Sequence, residues 1–293
     1  MQIGKFKSAA VIAGGVPGGR AQISGLFDIK DRVIVVTGGC GLLGSTFAQA
    51  LIEQGARVAV VDLPAALMKT PDWLERAGRD DRALCLRADV TKRDELDAAL
   101  GLLKEKWGSP FGLINNAAID TRPDASAEIN GPFENLSEAA FDEVMAVNVK
   151  GVMLCCQVFG TEMAQAGAGS IVNISSIYGM VAPDQRIYQY RRDAGEDFYK
   201  PAAYSVSKSA SYNLTRYLAA YWGGRHVRIN TLTLGGVFNA QDERFVEAYT
   251  TKVPLGRMAH ADDYVGPVIF LMSDEARYMT GANLVVDGGY TAL

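Results

Sequence analysis

A tyrosine and a lysine four positions apart, in Ala203-Tyr204-Ser205-Val206-Ser207-Lys208, are the residues most able to do chemistry together. Helical spacing continues through Ala210, Leu214, Tyr217 and Leu218. Positions i and i+4 share a helix face, so the Tyr204 phenol and the Lys208 ammonium can point into one cavity. A phenol with a pKa near ~10 is a poor acid or base at neutral pH. A fixed positive charge beside it favours the phenolate and suits it to proton transfer with an alcohol. The same pair also arises by chance on half-exposed helices, so its surroundings decide.

Those surroundings include a phosphate-type turn. Thr37-Gly38-Gly39-Cys40-Gly41-Leu42-Leu43-Gly44 follows the apolar run Val33–Val36 and opens a helical pattern. Glycines let backbone approach a pyrophosphate, and a helix N-terminus supplies N–H groups and positive potential. Gly38, Cys40, Gly41, Leu42 and Leu43 are the expected contacts. The next β-rich run, Val58-Ala59-Val60-Val61-Asp62, ends on a carboxylate followed by Leu63-Pro64. A carboxylate there accepts both adenosine ribose hydroxyls and repels a 2′-phosphate. Without Lys or Arg in the turn, Asp62 and Leu63 predict NAD rather than NADP.

The elements that must position these groups alternate. Val33–Val36, Val58–Val61, Leu84–Leu86, Leu113–Ile114, Ile171–Ile174, Ile229–Leu234 and Leu284–Val286 read as buried strands. Leu42–Gln54, Arg93–Trp107, Glu138–Ala166, Tyr204–Trp222 and Asp262–Met272 carry helical periodicity. Strand–helix alternation with right-handed crossovers predicts an α/β fold: a single-domain, doubly wound, Rossmann-type parallel sheet. Its 293 residues fit one large core. Residues 1–25 stand apart as an N-terminal arm, and 26–293 as the dinucleotide-binding catalytic domain. The Lys5/Lys7 start and Ala9–Ala13 imitate a signal peptide, but glycines break the run. An arm resting on a neighbouring subunit is expected instead.

Together with Asn115-Asn116-Ala117, Asn148, a strand ending in Ser175-Ser176 and Val285-Val286-Asp287-Gly288-Gly289, these motifs resemble the short-chain dehydrogenase/reductase family. The resemblance runs from about Phe27 to the C-terminus. It implies that Ser176 binds the substrate oxygen, Tyr204 transfers the proton, and Lys208 binds the nicotinamide ribose and lowers the Tyr204 pKa. Asn148 matches the family's relay asparagine. Ser175 competes for the serine role, but the Ser-x-x-Gly phase to Gly179 favours Ser176. The resemblance also puts Asp89 and Val90 beside the adenine, Asn116 and Ala117 beneath the cofactor, and the Val237 backbone at the carboxamide. Three positions depart from the pattern. Leu42 replaces a glycine, giving the TGxxGxxG spacing of the extended, sugar-nucleotide-modifying branch; Ala118 replaces a glycine and Leu234 a proline. Length and the other motifs follow the compact branch.

Ser176 and Tyr204 lie 28 positions apart, farther than in typical members. The excess, 183–201, holds Arg186, Arg191 and several aromatics; it reads either as a solvated loop or as a wall beside the nicotinamide. Residues 238–258 form an expected flap. Tyr178, Arg186, Arg191, Asn239 and Gln241 join Ser176 and Tyr204 as substrate candidates and predict a polar pocket. The Ser-Ser-Ile-Tyr-Gly turn, the insert and Gly-Gly-Val-Phe-Asn resemble a bacterial branch acting on sugars and amino sugars, flagellin-glycan enzymes among them. The expectation is an NAD-dependent oxidoreductase of a sugar-like or polyol alcohol or hemiacetal, neutral or anionic. An NAD-retaining epimerase or dehydratase, and a non-catalytic nucleotide-binding scaffold, stay open.

Net charge is −4, with no basic stripe for nucleic acid and apolar runs too short to span a bilayer. The four cysteines lack metal-ligand spacing and the two histidines lack a motif, so no metal is expected. Free thiols fit a reducing cytoplasm. The C-terminal segment resembles the family's subunit contact, implying a homotetramer or dimer.

Overall fold

The apolar runs become seven strands: β1 Val33–Thr37, β2 Arg57–Asp62, β3 Ala83–Arg87, β4 Gly112–Asn115, β5 Gly169–Ser176, β6 Val227–Leu234 and β7 Asn283–Val286. This computed structural model describes residues 25–67, 71–120 and 127–293. The expected N-terminal arm therefore lies, apart from Gly25, outside the described residues. All strand pairs are parallel, in the order β3-β2-β1-β4-β5-β6-β7.

The two-residue period of a strand sorts the core onto two faces. Ile34, Val36, Val58 and Val60 meet the helices Leu42–Glu53 and Val265–Met272 through Phe47, Leu51, Val268 and Leu271. Val33, Val35, Ala59 and Val61 face the other way, toward Leu96 and Leu103 of the helix Arg93–Trp107 and Phe159, Leu218 and Trp222 beyond. Each fully buried side chain of this size contributes about 1.5–3 kcal/mol. The doubly wound α/β architecture expected from the alternation is the one observed. Sequence reasoning missed the short helix Asp72–Arg79: its apolar side is two buried residues, Leu74 and Ala77, too few over eight positions to stand out from a polar stretch.

Strand order reverses between β1 and β4, so the connections leaving their C-terminal ends diverge and open a crevice. The helix Glu138–Ala166 passes this end of the sheet. Two of its stretches, Ala146–Gly151 and Cys156–Gly160, are wound as π-helix. Contrary to the sequence reading, this helix is long and apolar enough to cross a bilayer; half of its apolar window is buried inside this domain. The single charge of Lys150 does not outweigh the apolar residues around it.

Candidate active site

The crevice is a cleft of about 1310 Å³ that runs from the glycine turn past Tyr204 to an aromatic wall. Tyr204 lies in the first turn of the helix Ala202–Trp222, entered through Pro201 in extended conformation. One turn on, Lys208 is buried and donates from Nζ to the Ile174 carbonyl at 3.1 Å. Its Nζ is 5.7 Å from the centre of the Tyr204 ring. Burial pushes the Lys208 ammonium down to about 8, opposed by the negative charge of Asp120. The Tyr204 phenol is pushed well above its ordinary value, first by burial and then by Asp120, while hydrogen bonding to Ser176 pulls the other way. Tyr204 is thus a weaker acid than a phenol in water. The lowering expected from Lys208 is not found, since the group that pulls the phenol down is Ser176.

The two serines separate cleanly. Ser175 is buried and donates to the Lys208 carbonyl at 2.9 Å, fixing β5 to the helix Ala202–Trp222. Ser176 is partly exposed in the cleft beside Tyr204, and its Oγ accepts the Tyr178 N–H at 3.2 Å. Asn148, in the first π-wound stretch, is buried. Its Oδ1 accepts from the Ile119 N–H at 2.8 Å, and its Nδ2 donates to the Ile119 carbonyl at 2.9 Å and to Ser207 Oγ at 3.0 Å. A π bulge offsets one backbone bond and re-aims a side chain, and such bulges are frequent at functional sites. Here it joins the segment after β4 to the tyrosine helix.

At the other end, Asp62 Oδ2 accepts the Cys40 N–H and Oδ1 the Leu63 N–H, each at 2.8 Å. Asn116 Nδ2 donates to the Thr37 and Gly38 carbonyls, both at 3.1 Å, stitching the β4 loop to the glycine turn. Gly38 has φ +62, and a Cβ on it would stand 2.8 Å from Ala117 Cα; on Gly44 it would stand 2.1 Å from the Gly38 carbonyl. The turn is thus a bare backbone cradle at a helix N-terminus with a carboxylate at its rim. That donor and acceptor set fits a dinucleotide with an unphosphorylated adenosine ribose. Asp89, Val90, Leu42, Leu43, Gly41 and Val237 also line the cleft. Asp89 has a second task, since its Oδ1 accepts from Thr91 N and Oγ1 at 2.8 Å ahead of the helix Arg93–Trp107. Burial and the neighbouring Asp62 push the Cys40 thiol up to about 11, which makes it a poor nucleophile. Among the described residues, no cluster of His, Cys, Asp or Glu could hold a metal.

The substrate candidates fare unevenly. Arg191, Tyr178, Asn239 and Gln241 line the cleft, but Arg186 does not. The Arg186 side chain is 86% exposed and turned back onto Asp184 at 2.8 Å, because their two-residue spacing closes an Asp-anchored turn. Gln241 donates to the Val237 carbonyl at 2.8 Å and accepts from Asn239 N at 2.7 Å, so it braces its own loop. Arg191 pairs with Glu196 and covers the Phe198 ring at 3.9 Å. Beside the polar groups that line this end of the cleft, Asp120, Glu196, Lys200 and Arg244 among them, stands an aromatic wall: Tyr188, Phe198, Phe245 and Tyr249 pack in a single cluster. The insert is a wall of the cleft, not a solvated loop. Sequence reasoning overlooked Asp120, Phe245 and Tyr249, which line the cleft as well. Asp120 was findable, since a residue just past the C-terminal end of β4 faces the crevice of such a sheet.

A family model described as enoyl-(acyl carrier protein) reductase matches residues 42–291. The chain is 33% identical over 276 residues to 2-(S)-hydroxypropyl-CoM dehydrogenase 3 of Xanthobacter autotrophicus, covering 90% of this chain and 98% of that one. It is likewise 33% identical over 272 residues to D-threitol dehydrogenase of Mycolicibacterium smegmatis, covering 90% and 95%. A short-chain dehydrogenase from Leptospira borgpetersenii, solved with bound NAD+, superposes with a TM-score of 0.77 at 32% identity, covering 90% and 94%. With its parallel sheet, its glycine cradle and these relatives, the chain belongs to the short-chain dehydrogenase/reductase family.

Proposed function

We propose that this protein is an NAD-dependent dehydrogenase that interconverts an alcohol or hemiacetal carbon of a sugar-like or polyol substrate with its oxidised form. The observation that carries the reading is the Tyr204 phenol set between Ser176 and Lys208, midway along a cleft that joins a dinucleotide cradle to a closed aromatic wall. The polyol named for the threitol relative supports the substrate class, and the hydroxypropyl group named for the CoM relative supports reaction at an alcohol carbon. The NAD+ in the Leptospira structure and the paired carboxylate of Asp62 support the cofactor.

In this reading Ser176 Oγ binds the reacting oxygen and Tyr204 removes its proton. Lys208, fixed by the Ile174 carbonyl, keeps a positive charge at the phenolate as it forms. NAD, when bound, supplies the hydride acceptor. Asn148 holds the Ile119 backbone, so the floor beneath the reacting atoms is set before substrate arrives. The insert 183–201 and the flap 238–258 form the substrate wall. Aromatic faces at Tyr188 and Phe245 stack against the C–H faces of a sugar or polyol, leaving polar selection to groups at the rim.

The test is NADH formation, followed by absorbance, with sugars, sugar acids, sulfo-sugars and polyols. At least one substrate is expected to turn over many times, and Tyr204→Phe is expected to slow it by about 10²–10⁴-fold. No net NADH from any of them, despite tight NAD binding, overturns this reading in favour of a retained-cofactor epimerase.

A further inference from the structure

Two residues outside the catalytic set converge on Tyr204. Lys200, the last residue of the insert but one, places Nζ 2.6 Å from both carboxylate oxygens of Asp120. The same Nζ lies 5.0 Å from the centre of the Tyr204 ring, slightly closer than that of Lys208. Tyr204 thus has an ammonium from its own helix and another from the insert. Asp120 completes the arrangement from the segment after β4, and its charge acts on both Tyr204 and Lys208.

Neither partner is left to find its place. The Lys200 N–H donates to Gln185 Oε1 at 2.9 Å, and Gln185 Nε2 returns a bond to the Lys200 carbonyl at 3.0 Å. Asp120 follows Ile119, whose N–H and carbonyl are both held by Asn148. Two side-chain amides on different elements therefore clamp the backbones that carry the pair. The Lys200 side chain is only 10% exposed and that of Asp120 45%. A surface pair contributes little, but one with a mostly buried cation next to a reacting group acts on that group's charge.

We propose that Asp120 and Lys200 form a positioning pair for the reaction, a compensated charge that couples the insert to proton transfer at Tyr204. The proposal rests on the dehydrogenase reading above. Ser176, Tyr204 and Lys208 touch the reactants; the pair acts through Tyr204. Among the described residues, the other groups that face this phenol are Lys208 and Tyr212 on its own helix and Ser176 at the end of β5. The aromatic cluster beneath adds Tyr178, Tyr188 and Tyr249, whose phenols burial keeps neutral.

The test compares the pH dependence of kcat/KM for alcohol oxidation in wild type, Asp120→Asn, Lys200→Met, the double variant and Lys200→Arg. Removing the carboxylate leaves Lys200 uncompensated, so Asp120→Asn is expected to move the rising limb to lower pH by roughly half a unit or more. Lys200→Met is expected to move it to higher pH, the double variant to lie near wild type, and Lys200→Arg to restore it. Limbs that coincide in all five proteins overturn the proposal, including the case where Lys200→Met only raises KM for anionic substrates. A second readout needs no substrate: the tyrosinate ultraviolet absorbance of each protein minus that of its Tyr204→Phe counterpart. If no alcohol turns over, the dehydrogenase reading fails, while the same order of midpoints in this titration still decides whether the pair acts on Tyr204. Should Lys200→Met not fold, Asp120→Asn carries the comparison alone.

Discussion

Asp62 is oriented before any ligand arrives. Each of its oxygens accepts one backbone N–H, from Cys40 and from Leu63, so neither the strand end nor the side chain has to reorganise to meet a ribose. The remaining lone pairs face the cleft that Asp62 lines. Hydrogen bonds to a charged group contribute about 1.5–3 kcal/mol. Asp62→Ala is therefore expected to lower kcat/KM with NAD roughly ten- to a hundredfold. It should also narrow the preference over NADP, because the repulsion of a 2′-phosphate goes with the carboxylate. The measurement is the ratio of kcat/KM for the two dinucleotides, and a ratio that Asp62→Ala leaves unchanged would mean that discrimination lies elsewhere.

At the scale of elements, the long helix Glu138–Ala166 and the helix Ala202–Trp222 meet through Asn148, which bonds Ser207 on one side and the Ile119 backbone on the other. Asn148→Ala removes three bonds and strands a partly buried N–H and carbonyl. An expected loss of about 1–3 kcal/mol should lower the urea midpoint without changing the m-value. An unaltered midpoint would show that the π-wound backbone holds this junction unaided. Legibility in the sequence follows the same division between elements. Strands such as Val58–Val61 could be read because both faces of the sheet are covered, leaving a run of apolar residues. The helix Ala202–Trp222 could be read because Tyr204 and Lys208 obey its period. The wall could not. Tyr249 belongs to a helix 45 residues beyond Tyr204 in sequence, and only packing brings it against Tyr290 and the insert. Arg186 looked like a ligand group because its type suited an anion; its short spacing to Asp184 gave it a local partner first.

Across the whole molecule, burial of ionisable groups sets how the fold answers to alkali. Lys208, ordinarily at 10.5, is held at about 8 by burial. Between those values the unfolded chain keeps a proton that the folded chain has lost, so this group makes stability rise with pH. Buried phenols act in the opposite sense. Tyr249, 3% exposed, is raised by burial from 10.0 to about 12 although its oxygen accepts the Gly236 N–H at 2.6 Å. Tyr178, Tyr188, Tyr204 and Tyr264 are raised further by the same cause. Stability from these groups is fully present below 10.0, the ordinary phenol value, and is lost as pH climbs toward the folded values, because only the unfolded chain ionises there. One lysine is outnumbered by the tyrosines. The melting temperature is therefore expected to hold or rise up to about pH 10 and to fall steeply above it. Tyr249→Phe should soften that fall, at the cost of leaving the Gly236 N–H without its acceptor at lower pH. A melting temperature that stays level from pH 10 to pH 12 would mean that these phenols reach water in the folded protein, and the aromatic wall would then be looser than its packing indicates.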